Sequence, residues 1–233
     1  AALAGLARGQ RFVALNGRTV AEIQASEGLD AALSTSPVEF TMLERDGVTE
    51  FTVTIAQDIV TIDPIPQWGR IPRPAGPDVG YIELAAFVGT AEPALDAVFE
   101  DFRNNGVTDV VLDLRYNSGG LLAIAEVLAN LIGGAVTQGQ IQYTLEYNPD
   151  NSFRNQRVTF PDRVQSLDLT RVFFIVTGSS ASASELVINA LRPYLDVVLV
   201  GDTTFGKPVG QLGYTFCEKT LRPVSFSIVN ADG

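Results

Sequence analysis

Asp109-Val110-Val111-Leu112-Asp113-Leu114-Arg115-Tyr116-Asn117-Ser118-Gly119-Gly120 opens on an apolar run, passes an aspartate and closes in a glycine turn. An apolar run of this length bounded by a turn reads as a fully buried strand. The segment that follows, up to about Ile132, reads as a buried helix. The same order recurs downstream. Arg171 to Thr177 is a second buried strand, Gly178 to Ser182 a turn, Ala183 to Leu195 a helix and Val197 to Gly201 a third strand. Upstream, Val79 to Phe87 reads as a strand, and Thr90 caps a helix running to about Asn105. Near-continuous apolar strands alternating with helices imply an α/β protein with a mostly parallel sheet. A strand and a surface loop are expected over 140–168, and two more strands over 211–217 and 223–229.

Residues 1–57 follow a different pattern, that of a small β-rich module. Arg11 to Leu15 is a short strand ended by Asn16-Gly17, and Ser26 is placed to cap a short helix through Leu33. Val38, Phe40 and Met42 then alternate with Glu39, Thr41 and Leu43, and Asp46-Gly47 turns the chain toward Phe51, Val53 and Ile55. Five of the twelve prolines fall at Pro64, Pro66, Pro72, Pro74 and Pro77. That density marks residues 58–77 as an extended linker between the module and a core over 78–233.

Composition excludes several function classes. With 27 acidic against 16 basic side chains in 233 residues, the formal charge is −11. This argues against a nucleic-acid partner, because that binding is largely phosphate neutralisation by Lys and Arg. The chain has no histidine, which removes any Ser–His or Cys–His dyad and any His-bearing zinc site. Its single cysteine, Cys217, excludes an internal disulfide and a cysteine-rich metal cluster. No metal or other cofactor is expected. The most apolar stretch, Gly119 to Val136, contains Glu126 and four glycines, so it reads as a buried helix and not a membrane span. The chain begins without an initiator Met or a signal peptide and is expected to be a piece of a longer protein.

Three glycine-containing turns follow buried strands, where α/β proteins place their sites. Each of them is, taken alone, more often a tight connection. Gly201 to Lys207 fits G-x-x-x-x-G-K, the start of a phosphate-binding loop. The next residue is Pro208 where a magnesium-ligating Ser or Thr belongs, and the following residues make a poor helix. A nucleoside-triphosphatase therefore remains only a remote alternative. The turn at Gly178 is richer, because Ser179, Ser180, Ser182 and Ser184 crowd a helix start. One serine would suffice as a cap. A nucleophile there would find free backbone N–H groups for an oxyanion. Without histidine its base must be lysine, aspartate or glutamate. One lysine, Lys207, sits in a Gly-rich apolar turn, and burial favours the neutral form that a base requires.

At this point the residues resemble a family. Ser180-Ala181-Ser182-Ala183-Ser184-Glu185, then Thr204-Phe205-Gly206-Lys207 with Gln211 behind it, resembles the carboxy-terminal processing (tail-specific) serine proteases. Asp113 to Gly120 resembles the same family's D-L-R-x-N-x-G-G segment, and the likeness spans about 80–215. The resemblance implies Ser182 as nucleophile and Lys207 as general base. It makes Gln211 or Glu185 the third member, and gives an oxyanion hole from the amides of Ala183 and of Gly119 or Gly120. Pro208 replaces the family's commoner glycine.

The resemblance also implies a protease core of the ClpP/crotonase-like spiral type, truncated at its C-terminal end. Gly5-Leu6 with its neighbour Ala4, through Gly9, then Phe12 to Gly17, is similar to the opening of PDZ domains, with Gln10 where an aspartate is usual. The implied protein is a bacterial envelope or periplasmic Ser–Lys endopeptidase cutting polypeptides near their C-termini, a membrane tether outside these residues being compatible with it. A catalytically silent PDZ-type scaffold is the other reading. Retention of Ser182, Lys207, Glu185 and Gln211 together favours the enzyme.

Overall fold

The computed structural model describes residues 5–7, 9–59 and 63–233. Ala4, the first residue of the PDZ-like stretch, lies outside them, as do 60–62 of the expected linker. The chain divides into two compact units, residues 1–61 and 62–233.

In the first unit, strands β1 (Arg11–Leu15), β2 (Arg18–Thr19), β3 (Val38–Leu43) and β4 (Glu50–Ile55) form an antiparallel sheet in the order β2-β1-β3-β4. Leu15, Ile23 and Val38 are buried together as its small core. The helical stretch differs from expectation. Two helices, α1 (Val20–Ser26) and α2 (Leu29–Leu33), replace the single one expected after Ser26. The reason is a reciprocal cap at Thr19. Its amide donates to Glu22 Oε2 (2.8 Å), and the Glu22 amide donates to Thr19 Oγ1 (3.3 Å). Ser26 ends α1, its hydroxyl donating back to the Glu22 carbonyl.

The second unit is mixed α/β. Its larger sheet runs β11-β10-β7-β6-β5, made of β5 (Gln67–Ile71), β6 (Val79–Glu83), β7 (Asp109–Asp113), β10 (Arg171–Val176) and β11 (Asp196–Gly201). β6, β7, β10 and β11 are parallel, and β5 is an antiparallel edge. β5 lies inside the stretch expected as linker. The prolines there bracket a strand, an arrangement compatible with a sheet edge where one row of N–H groups goes unused.

Helices α3 (Ala91–Asn104), α4 (Leu122–Thr137) and α5 (Ala183–Leu191) supply most of the core with this sheet. α3 presses Phe102 against Gly80, where a Cβ would stand 2.5 Å from the ring. α4 is buried almost all round, as its largely apolar sequence requires. Among the described residues no helix is long and apolar enough to cross a membrane.

A second, antiparallel sheet runs β12-β15-β8-β9. Its strands are β8 (Ile141–Glu146), β9 (Gln156–Thr159), β12 (Val209–Gln211) and β15 (Val224–Val229). The stretch 140–168 thus holds two strands joined by a 3-10 turn at Pro149–Arg154, not one. The expected strand at 211–217 is split, because the chain turns at Leu212-Gly213 into a hairpin of β13 (Tyr214–Phe216) and β14 (Lys219–Leu221).

Candidate active site

Parallel pairing puts the ends of β7 and β10 side by side, so the loops that leave them meet. Asn117 is the clasp. It is buried, its Nδ2 donates to the Leu84 carbonyl (2.7 Å), and its own carbonyl accepts from the Ala181 amide (3.1 Å) and the Ser184 hydroxyl (2.9 Å). Ser180, also buried, donates to the Leu114 carbonyl (2.7 Å) and accepts from the Thr177 amide. Two of the four crowded serines are therefore spent as loop fasteners. Ser182, between them, is half-buried at the start of α5, in a reciprocal cap with Glu185.

Ser182 also carries the turn. Its backbone stands at φ 56°, ψ −113°, a conformation that L-residues rarely adopt, immediately before the first residue of α5. Such geometry costs on the order of 1–3 kcal/mol and lifts a side chain out of the strand-to-helix corner. Gly119 lies directly against it. A Cβ on Gly119 (φ 100°) would meet the Ala181 carbonyl oxygen at 2.7 Å, the Ala183 nitrogen at 2.8 Å and Ser182 Cβ at 2.9 Å. Gly120 is tied to Phe87 in a parallel bridge, where a Cβ would collide with the Phe87 carbonyl.

The amides of the two glycines are not equivalent. That of Gly119 donates to Asn117 Oδ1 (2.9 Å). Those of Gly120 and of Ala183, the first residue of α5, have no protein acceptor among the described residues.

Glu185 connects this corner to the lysine loop. Its carboxylate accepts from the amides of Ser182 (2.8 Å), Gly206 (2.6 Å) and Lys207 (2.9 Å). Burial pushes its carboxyl up, but these amides and the Thr204 hydroxyl outweigh that and hold it below its ordinary value, so it is ionised at neutral pH. The Phe205 amide donates to the Ser180 carbonyl (3.0 Å), and beyond the loop Ile228 of β15 donates to the Pro208 carbonyl (2.9 Å). Lys207 then leads into strand β12. A phosphate-binding loop needs a helix N-terminus there, so that remote alternative is set aside.

Ser182 and Lys207 line two cavities in common. One, of 290 Å³, is walled largely by apolar groups of Leu186, Pro208 and Ile228. The other, of 490 Å³, is bounded by Gly119, Gly120, Gln211 and Arg222. Glu185 faces the first and Gln211 the second. Gln211 Nε2 donates to the Arg222 carbonyl (2.9 Å).

Asp113, at the end of β7, is committed to structural bonds. Its oxygens accept from the Arg115 amide and guanidinium and from the Tyr81 hydroxyl. Burial raises its carboxyl, but these bonds win and hold it below the ordinary range. Asn117, Ser180 and Ser184 were not among the sequence-derived site residues. An Asn before Ser-Gly-Gly looks like any turn residue, and only the tertiary structure reveals its partners at Leu84, Gly119, Ala181 and Ser184.

The family model for peptidase family S41 matches residues 78–227. Among curated proteins, the chain is 24% identical over 237 residues to the carboxy-terminal processing protease CtpA of Bacillus subtilis, covering 99% of this chain and 47% of that one. It is 29% identical over 231 residues to a carboxy-terminal-processing protease of Bartonella bacilliformis, covering 91% and 49%. The chain thus spans about half the length of these relatives. Among solved structures, a Bacteroides fragilis protein assigned to the S41 proteases superposes with a TM-score of 0.75 at 28% identity, over 99% of this chain and 64% of that one. A serine on a strained strand-to-helix corner, a lysine loop roped to it by a glutamate and this match over most of the second unit agree, and the chain belongs to peptidase family S41.

Proposed function

We propose that residues 78–233 hold the catalytic centre of a serine endopeptidase that cuts polypeptides near their C-termini. The observation that carries this is the position of Ser182 and Lys207 on the shared border of two cavities, beside two amides that have no acceptor among the described residues. Two cavities that meet at a nucleophile suit a substrate chain that runs past it, as internal cleavage requires.

In the proposed reaction, Lys207 Nζ in its neutral form takes the Ser182 hydroxyl proton as Oγ attacks the scissile carbonyl. The amides of Ala183 and Gly120 receive the developing oxyanion. The C–N bond breaks, the leaving amine takes the proton from Lys207, and an acyl-serine ester remains. Water then adds by the same route and releases the carboxylate. Glu185 acts by holding the backbones of Ser182, Gly206 and Lys207, and Gln211 lines the cleft beside Lys207.

Residues 1–57 are proposed as a PDZ-like module, incomplete in these residues, and the core as the ClpP/crotonase-like spiral type. Location in a bacterial envelope, outside the cytoplasm, is proposed on the same kinship.

Incubating a denatured model protein with the chain and with Ser182→Ala tests the reading. Wild type is expected to cut it and Ser182→Ala to leave it whole, with equal thermal stability. Equal cleavage by both would discard Ser182, and peptide binding without cleavage by wild type would favour the silent scaffold.

A further inference from the structure

The 490 Å³ cavity beside Ser182 is lined by two basic side chains, Lys207 and Arg222, and by no acidic one. The background is opposite in sign, since the chain has 27 acidic and 16 basic residues. Several arginines elsewhere meet carboxylates, as Arg73 and Arg171 meet Asp109, Arg115 meets Asp113 and Arg163 meets Asp96. Arg222 has no such partner among the described residues.

Its backbone is nonetheless anchored. Arg222 lies between β14 and β15, where its carbonyl is held by Gln211 Nε2 at 2.9 Å. Its guanidinium passes Gly213, where a Cβ would stand 3.7 Å from Nη1. An anchored backbone thus presents a solvent-facing, unpaired guanidinium at the wall of the catalytic cleft.

Resting on the proteolytic reading above, we infer that Arg222 is a specificity-determining residue that binds a carboxylate of the substrate lying in this cavity. The guanidinium fork matches a carboxylate through two parallel N–H···O bonds and stays cationic at any working pH. A cleft lined by one sign of charge also concentrates its field on an incoming group of the other sign. The division of labour has a chemical reason. A substrate carboxylate paired with Lys207 would favour the ammonium form, which cannot take the Ser182 proton. Arg222 offers the carboxylate another partner.

The carboxylate has two possible sources, the chain's α-carboxylate or an Asp or Glu side chain near it, and the test separates them. Three fluorescent peptides are titrated by anisotropy against the full chain carrying Ser182→Ala. One ends in a free acid, one in an amide, and one is an amide with a Glu near its end. The expected result is roughly tenfold tighter binding of a carboxylate-bearing peptide than of the plain amide, the size of a charge-assisted contact. The preference should shrink as salt rises. Arg222→Gln should bring the ratio to about one, Arg222→Lys should keep part of it, and matching melting curves should show intact folds. Preference for the free acid alone assigns the α-carboxylate, and preference shared by the Glu peptide assigns the side chain.

Equal binding of all three peptides, or an acid preference that survives Arg222→Gln, overturns the inference. The titration needs no turnover, so it is separable from the proteolytic reading. Arg222-dependent binding with an inert wild type sinks only that reading. Cleavage by wild type without a carboxylate preference sinks only the role of Arg222.

Discussion

Gly119 is the residue at which the site tolerates least. Its positive φ strains any other L-residue, and its missing Cβ is where Ala181, Ser182 and Ala183 approach within 2.9 Å. Gly119→Ala is expected to cost about 1–3 kcal/mol in urea unfolding and to lower kcat more than it raises KM. Glu185 carries a second prediction. Its carboxyl lies below its ordinary value, so the folded state gains from ionisation above the unfolded pKa. That gain is lost as pH falls through the lower, folded value. Wild type should therefore exceed Glu185→Gln in stability at neutral pH, and the two should converge on acidification below the usual carboxylate range. Melting temperatures from pH 7 to pH 3 measure this, and parallel curves would show that the carboxylate is no strut. Lys207→Arg keeps a cation that cannot act as a base, because guanidinium stays protonated. It should be as inactive toward a denatured protein as Lys207→Ala, and substantial turnover would end the general-base assignment.

Between elements, the clasp at Asn117 decides how accurately the serine corner sits on the sheet. One residue joins three segments, its side chain bonding to the Leu84 carbonyl after β6 and the Gly119 amide in the loop after β7, and its backbone carbonyl to Ser184 at the start of α5. Asn117→Ala leaves the Leu84 carbonyl and the Gly119 amide without their partner, about 1–3 kcal/mol for each group that water does not reach. The expected phenotype is a lower denaturation midpoint together with loss of activity. Phe102→Ala, in the core beneath α3 and away from the cleft, should cost about 3–5 kcal/mol in denaturant titration. Legibility was uneven at this scale. β7, β10 and α5 were readable because apolar runs and a serine-rich corner are local signals. The division of the helical region at Gly28 was missed, because Ser26 is as good a cap by type as Thr19. Only Glu22 three residues after Thr19 distinguishes them, through the reciprocal pair of bonds.

For the whole molecule, the boundary between compact units falls at 61/62, near the start of the proline-rich stretch. Residues 62–233 contain the larger sheet, three helices and the second sheet. Expressed alone, they are expected to unfold cooperatively and to keep Ser182 reactive toward a serine-directed phosphonate. Loss of cooperative unfolding in this piece would refute its independence. The sequence by itself determined the mixed α/β class, the exclusion of histidine chemistry and the short segments where a site could lie. Those depend on residue type and on periodicity, which a strand or a turn expresses locally. Which serines are buried as fasteners, which glycine amide lacks an acceptor among the described residues, that Glu185 grips the backbone of the lysine loop, and that Arg222 shares the cleft with Lys207 were decided only by the tertiary structure. Those facts depend on loops from distant strands being brought within hydrogen-bond reach, and no local pattern encodes which buried partners a polar group will find there.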